Sequence, residues 1–462
     1  MFSEKNRDAA GPGQKAARDA RPLSAASPSL KTSWICILLV AWLGGCGDAE
    51  QRATAGGSLQ PGAGAAGTGG RNSEWGERQP YLVLVSIDGF RHDYLDRYPA
   101  PALKSLAASG VKAEALLPAY PTLTFPNHYS IATGLWPASH GIVANNFPGE
   151  NPGNWYAYKD RSSVQDGRWY GGEPIWVAAE RHGLVSAAFF FVGTEAPVGG
   201  VAPTHWHAFD REVPGEVRVD QALAWLSEPP ATRPHVITLY FEEVDETSHR
   251  YGPGSPESIA AIANVDRHIG RLVGGIEALP VADEVTLVIV SDHGQSSYRE
   301  DVPVLVLDEV ADLEGLAVVD GGSYAFLFAG EAPAERLIEV RDAINGAWRH
   351  GRAWLKSEAP DDWHITPESL FPDIIVQADP GCGVIASADR DYIMTAGDHG
   401  WAPEFSDMHG IFMAKGPRLP AGRVIDALAV VDIYPLMRAV LGLPAVTIDG
   451  DPEALLPLLQ PP

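Results

Sequence analysis

Three acidic residues each close an apolar run: Asp88 in "SIDG", Asp245 in "YFEEVDETSH" and Asp292 in "VSDHG". A single Asp after a strand is usually a turn former. Here two of the three are accompanied by histidine. Asp245 and His249 are four residues apart, a spacing that puts two side chains on one face of a helical turn. His293 is adjacent to Asp292, which suits a loop, and His399 sits in a Gly-rich turn, "AGDHGW". Carboxylates and imidazoles without thiolates suit catalytic zinc, with manganese and iron the other ions such donors hold. With the hydroxyl of Thr124 these are seven potential ligands, enough for two ions. In a two-metal site about 4 Å across, one ion activates a nucleophile while the other stabilises the leaving oxygen.

Thr124 lies in "PAYPTLTFPNHYSIATGLWPASHGIVANN", a polar loop running into an expected helix. Threonine at a helix start is commonly a cap, and Pro in the first turn is ordinary punctuation. A threonine hydroxyl becomes a nucleophile only when a metal or base lowers its pKa. At a helix N-terminus, backbone N–H groups and the dipole suit an anionic phosphoryl group. The loop is therefore read as presenting a nucleophile.

The elements that must position these residues are legible as alternation. Near-continuous apolar runs, typical of strands buried on both faces, begin at Tyr81, Leu184, His235, Val285 and Pro372. Helical patterns separate them, in "GEPIWVAAERHG", "VRVDQALAWLSE" and "SPESIAAIANVDRHIGRLVGGIEAL". This predicts an α/β fold with a large, mainly parallel central sheet flanked by helices, spanning residues 80–462. Ligand sites in such sheets lie beyond the carboxyl ends of the strands. Residues 298–371 break the rhythm and read as a smaller inserted subdomain.

The net charge of -25 argues against polymeric nucleic acid as a partner and leaves a small anionic substrate reachable through bound metal. Cys36, Cys46 and Cys382 are too few for a disulfide framework. "SWICILLVAWL" has the length of a signal-peptide core, with Arg21 and Lys31 upstream, and "LGGC" resembles a bacterial lipobox ending on Cys46. Residues 1–45 are thus expected to be a lipoprotein signal peptide and Cys46 the lipidated residue. Residues 46–79 read as a flexible tether, on the order of 30 Å end to end. The expected location is a membrane's periplasmic or cell-surface face, with the outer membrane favoured by Gly47 after the cysteine.

Asp88, "PTLTFPNHYSIATGLWPASHGIVANN", "EEVDETSHRYGP", "SDHG" and "GDHGW", in this order, resemble the nucleotide pyrophosphatase/phosphodiesterase family of the alkaline phosphatase superfamily. The resemblance runs from about Tyr81 to the chain end. It implies an alkaline-phosphatase-like core and two zinc ions. Thr124 would be the nucleophile and would share one ion with Asp88, Asp292 and His293. Asp245, His249 and His399 would hold the other. Asn145 would donate to a phosphate oxygen, and Phe125 and Trp206 would be aromatic contacts to the substrate. The implied reaction is hydrolysis of a phosphodiester or pyrophosphate of a nucleotide or related diester, through a phosphothreonine and with net retention at phosphorus.

Three positions depart from the family pattern: Val244 replaces a usual Pro, Gln295 a common Met, and Leu123 the Lys of some nucleotide-specific members. Phospholipid head-group diesters, phosphonates and phosphomonoesters are the alternative substrates. A monoester calls for an extra cation, which the nucleophile and metal motifs do not supply. A lipid-anchored binding protein without chemistry would lack a nucleophile or ligand, and none is missing. His92, His128, His140 and His409 read as packing or hydrogen-bonding residues, while His205 and His207 flank Trp206 at a candidate pocket mouth.

Overall fold

The computed structural model describes residues 69–461 except 152 and 389–394. The expected signal peptide, Cys46 and the tether up to residue 68 lie outside the described residues. The central sheet takes strands β1 (Tyr81–Ile87), β2 (Val111–Ala113), β3 (Ser186–Phe189), β4 (His205–His207), β5 (Val236–Phe241) and β6 (Val285–Val290). A smaller sheet follows: β7 (Ala317–Asp320), β8 (Tyr324–Phe328), β9 (Gly351–Leu355) and β10 (Ile374–Ala378). The chain then returns to the central sheet with β11 (Phe412–Lys415) and β12 (Arg423–Ile425).

The eight central strands run in the order β12-β2-β11-β6-β1-β5-β3-β4. β1 pairs in parallel with β5 and β6, and β3 in parallel with β5 and β4. β11 is antiparallel to both β6 and β2, so the sheet is mixed. Alternation along β1 explains why every residue in it is apolar or small. Leu82 and Leu84 enter the core on one face, and Tyr81, Val83, Val85 and Ile87 the core on the other.

Helices α1 (Thr124–Thr133) and α2 (Ile175–Arg181) cover the first face. Helices α3 (Gly215–Leu226) and α5 (Pro256–Glu277) cover the second, with α4 (Glu243–Tyr251) between them in sequence. α5 shows why the sequence folds so. Pro256 occupies its first turn and the Ser255 hydroxyl accepts the Ser258 N–H at 3.1 Å. Ile262, Val265, Ile269, Leu272 and Ile276 recur every three or four residues and form its buried stripe. Among the described residues no helix is long and apolar enough to cross a membrane.

Two boundaries differ from expectation. The tether does not extend to residue 79. Asn72 bonds to Val185 N, Pro230 O and Arg233 O at 2.7–2.8 Å, which ties this segment to the domain. A Gly- and polar-rich composition hides such backbone-directed bonds. The run at Pro372 is not a strand of the central sheet but β10, inside the antiparallel order β7-β8-β10-β9. All of β8 and β10 is buried because both faces of this small sheet are covered. α6 (Ala334–Ala347) packs on Leu327, Ile374 and Val376, whereas Phe326 and Ile375 join the main core. A strand sandwiched in this way has the apolar run of a parallel core strand. The small sheet itself runs on to Ala378, past residue 371.

The segment between β9 and β10 also touches the Tyr120 loop. Trp363 stacks on Tyr120 with centroids 3.8 Å apart, and its N–H donates to Glu404 at 3.0 Å. Trp363→Ala removes a buried aromatic brace and is expected to cost about 3–5 kcal/mol of stability, measured by guanidinium unfolding. A loss below about 1 kcal/mol would show that these two segments hold together without this stack.

Candidate active site

The strand ends converge. β1 delivers Asp88, β6 delivers Asp292 and His293, and β5 passes through Glu242 into α4, whose first and last turns carry Asp245 and His249. Gly89, at φ 67°, turns the chain after Asp88, and a Cβ there would meet Asp245 at 3.0 Å. Glycine thus permits two acidic elements to approach. Thr124 is the first residue of α1, after Leu123 in extended conformation. Asn127, one turn on, stitches the preceding loop. Its side chain accepts from Ala119 N at 2.6 Å and donates to Pro121 O at 2.9 Å and Leu123 O at 3.0 Å.

All seven residues expected to act as ligands come together. Thr124 Oγ1 lies 3.3 Å from His293 Nε2. His293 Nε2 is 3.0 Å from Asp292 Oδ2 and 3.5 Å from Asp88 Oδ1. Asp245 Oδ1 is 3.4 Å from His249 Nε2 and 3.8 Å from His399 Nε2. Donors bonded to one tetrahedral zinc at ~2.0–2.1 Å stand roughly 3.3 Å apart, close to each of these separations. Asp245, His249 and His399 form one group that could hold an ion; Asp88 with His293 and Asp245, and Asp88 with Asp292 and His128, form others.

Three further observations fit a metal. The Nδ1 atoms of His249, His293 and His399 face the carbonyls of Gly397, Gly294 and Thr122 at 2.9, 3.0 and 2.7 Å. That fixes the tautomer and leaves Nε2 as the ligand atom. Asp88 Oδ1 and Asp292 Oδ2 are buried without a hydrogen-bond partner among the described residues. Thirdly, the charges are unbalanced. Burial and the neighbouring Asp292 and Asp245 carboxylates raise the Asp88 carboxyl well above its ordinary value. Burial pulls the His249 imidazole down, but Asp245 overrides it and carries the group up to about 10. Burial and the nearby His293 press His399 down to about 3.

Asn145 borders the same cleft. Its Oδ1 accepts the Phe125 N–H at 3.0 Å, which orients the amide nitrogen as the free donor. The helix start offers less than its sequence suggested. Phe125 N–H is engaged, Pro126 has none, and Asn127 N–H bonds Leu123 O at 3.2 Å.

The cleft has a volume of about 310 Å³, and its aromatic walls are Phe125, Tyr158, Phe190, Phe191, Phe209 and Tyr240. Trp206 is not among its lining residues, which corrects the expectation for it. It lies within β4, paired with Ala188 of β3, whereas the cleft lies beyond the strand ends. Phe209, two residues past β4, takes the wall position. Periodicity could have pointed there, because residues inside a strand face the sheet's sides and residues after it face the site. His205 and His207 stack towards Trp225 rather than lining the cleft. His128 and His140 are buried and bonded to Ser86 and Ser130 at 2.7 and 3.0 Å; His128 Nδ1 also lies 3.2 Å from Asp292.

Sequence reasoning missed the cations of the cleft, Arg161 and Arg211, which sit outside every motif. Each is neutralised: Arg161 pairs with Glu195, and Arg211 with Glu246 at 2.9 Å. Arg218 pairs with the cleft's Glu242 at 2.5 Å from beneath. Gln295, the departure from the family pattern, donates its amide to Asp245 Oδ1 and to Asp245 O.

A sheet with acidic strand ends, clustered histidines and a helix-start hydroxyl is the architecture of the alkaline-phosphatase-like superfamily. The chain belongs to the family described as type I phosphodiesterase / nucleotide pyrophosphatase, which it matches over residues 82–402. It is 31% identical over 401 residues to human ectonucleotide pyrophosphatase/phosphodiesterase family member 1, covering 84% of this chain and 42% of that protein. It is 32% identical over 414 residues to the venom phosphodiesterase CdcPDE of Crotalus durissus collilineatus, covering 86% and 48%. The chain therefore spans less than half the length of these relatives. Human family member 5 is 30% identical over 373 residues, covering 80% and 76%. The structure of murine family member 5 superposes with a TM-score of 0.77 at 30% identity, covering 83% of this chain and all of that one. A further structure of the murine protein is an inactive threonine-to-alanine variant in complex with AMP.

Metal uptake should displace a proton from His249, whose imidazole the Asp245 carboxylate carries up to about 10. A proton bound in the free form and lost in the loaded form makes affinity rise with pH, about tenfold per unit for each proton displaced. Zinc titration calorimetry at pH 6, 7 and 8 in two buffers reads both the affinity and the proton release. Affinity independent of pH would contradict this electrostatic account.

Proposed function

We propose that this protein is a two-zinc hydrolase of small phosphodiesters and pyrophosphates, of the nucleotide type, working through a covalent phosphothreonine. The observation that carries the reading is the hydroxyl of Thr124, at the start of a helix and 3.3 Å from His293 Nε2, at the edge of the carboxylate and imidazole cluster. The inactive threonine-to-alanine variant of the murine relative, with AMP bound, supports both the nucleophile and the substrate class. Asp88, Asp292, His293 and Thr124 would hold one ion, and Asp245, His249 and His399 the other. Bound there, the ions supply the positive charge that favours an alkoxide and offsets phosphoryl oxygens.

The chain's own residues account for the remaining requirements. Thr124 Oγ forms a bond to phosphorus as the opposite ester oxygen departs, and water later releases the phosphoryl group from Thr124. Two in-line displacements return the original configuration. Asn145, held by the Phe125 N–H, aims its amide nitrogen at a non-bridging oxygen. Phe125, Tyr158 and Phe209 offer stacking surfaces for a nucleobase or another planar group. A diester fits better than a monoester, because the cleft's arginines are each paired to a glutamate and offer no uncommitted cation for a second phosphate charge.

With zinc, a nitrophenyl nucleoside monophosphate diester should turn over faster than bis-nitrophenyl phosphate, and both faster than nitrophenyl phosphate. Thr124→Ala should lower each rate by at least about 10³-fold. Fastest turnover of the monoester would sink the substrate assignment while leaving the metal groups intact.

We also propose export as a lipoprotein, with Cys46 lipidated and the catalytic domain held on the periplasmic or cell-surface side of a membrane, the outer membrane favoured. Support comes from the apolar core and "LGGC" of the sequence. Expressed in a bacterium fed labelled palmitate, the protein should take up label and lose it in Cys46→Ser. Label retained by that variant would refute the assignment.

A further inference from the structure

Tyr240 lies one residue before the end of β5 and lines the cleft. Its hydroxyl donates to Asp88 Oδ2 at 2.5 Å. The other oxygen, Asp88 Oδ1, faces His293 Nε2 at 3.5 Å and is buried without a hydrogen-bond partner among the described residues. The carboxylate is thus divided, with one oxygen committed to the protein and one turned towards the ligand cluster. The Tyr240 ring is held in place, edge-on to His128 at 5.2 Å and to Phe209 at 6.0 Å. Gln295 differs: it donates to Asp245 Oδ1, the oxygen that itself faces His249 and His399, so it does not divide that carboxylate.

A carboxylate free to rotate can present either oxygen or both to an ion, and hydrogen-bonded partners behind metal ligands set their orientation and basicity. We propose that Tyr240 is a positioning residue that confines Asp88 to one coordinating oxygen and thereby sets the affinity of the ion held through Asp88. This rests on the metal reading above. It also makes one side chain common to the substrate cleft and to a metal ligand.

The test uses full-length protein in detergent, stripped of metal and dialysed against chelator-buffered zinc, with bound zinc measured by mass spectrometry. Wild type should fill two equivalents. Tyr240→Phe keeps the ring and removes only the hydroxyl. It should raise the free zinc needed to half-fill one equivalent by about 10–100-fold and leave the other unchanged. In an Asp88→Asn background Tyr240→Phe should cause no further shift. Superimposable isotherms for wild type and Tyr240→Phe, or a further loss in the Asp88→Asn background, overturn the proposal. A wild type that takes up no zinc removes the metal reading itself, a different outcome from two-step isotherms that coincide. A check independent of Tyr240 variants is the infrared difference spectrum of zinc-loaded wild type minus Asp88→Asn. Widely split carboxylate stretches are expected for single-oxygen coordination, and a narrow splitting contradicts it.

Discussion

Two buried carboxylates, Asp88 and Asp292, and the half-buried Asp245 are gathered within a few side chains of one another. Charges of one sign buried together are strongly unfavourable unless cations compensate them. Much of the surrounding structure answers this constraint. Gly89 lets β1 and α4 approach closely enough to pool their acids. Three histidines turn Nε2 inward because backbone carbonyls hold their other nitrogens. Tyr240 and Gln295 spend their donors on the same carboxylates. A fold that simply maximised stability would not assemble this cluster, which is why it marks the functional end of the sheet.

Most of the ligand cluster was legible because strand ends announce themselves. An apolar run followed by an acid, with or without a histidine, fixes both the element and its carboxyl end, so the sequence alone places Asp88, Asp245, Asp292 and His293. The cleft walls were not legible in this way. Arg161 opens a four-residue helix that no motif marks, and Phe209 lies just past β4, where the strand-end rule but not a motif points to the site. Trp206 was misplaced for the same reason: it is aromatic and near the right strand, but inside it rather than beyond it. β10 shows another limit, since burial on both faces erases the alternation that separates a small antiparallel sheet from a parallel core.

The outer cleft has an electrostatic character of its own. Beyond the ligand cluster, each glutamate meets an arginine, in the pairs Glu195–Arg161, Glu242–Arg218 and Glu246–Arg211. The resulting surface is charge-balanced and faced with aromatic rings, which offer shape and stacking rather than net charge to whatever lies against it. A chain of net charge -25 thus keeps its outer cleft locally balanced rather than uniformly acidic.

β11 has a consequence for how the molecule is made. It sits between β6 and β2 and runs against both, so the amino-terminal strand β2 reaches the sheet only through a strand near the carboxyl terminus. The ligand set likewise spans Asp88 to His399. Pairings between such distant segments carry a loop-closure cost that slows folding. A nascent chain emerging from a ribosome therefore carries Thr124 long before it carries His399. Until synthesis has passed that residue, the threonine has an incomplete constellation around it, and the cluster can assemble only late.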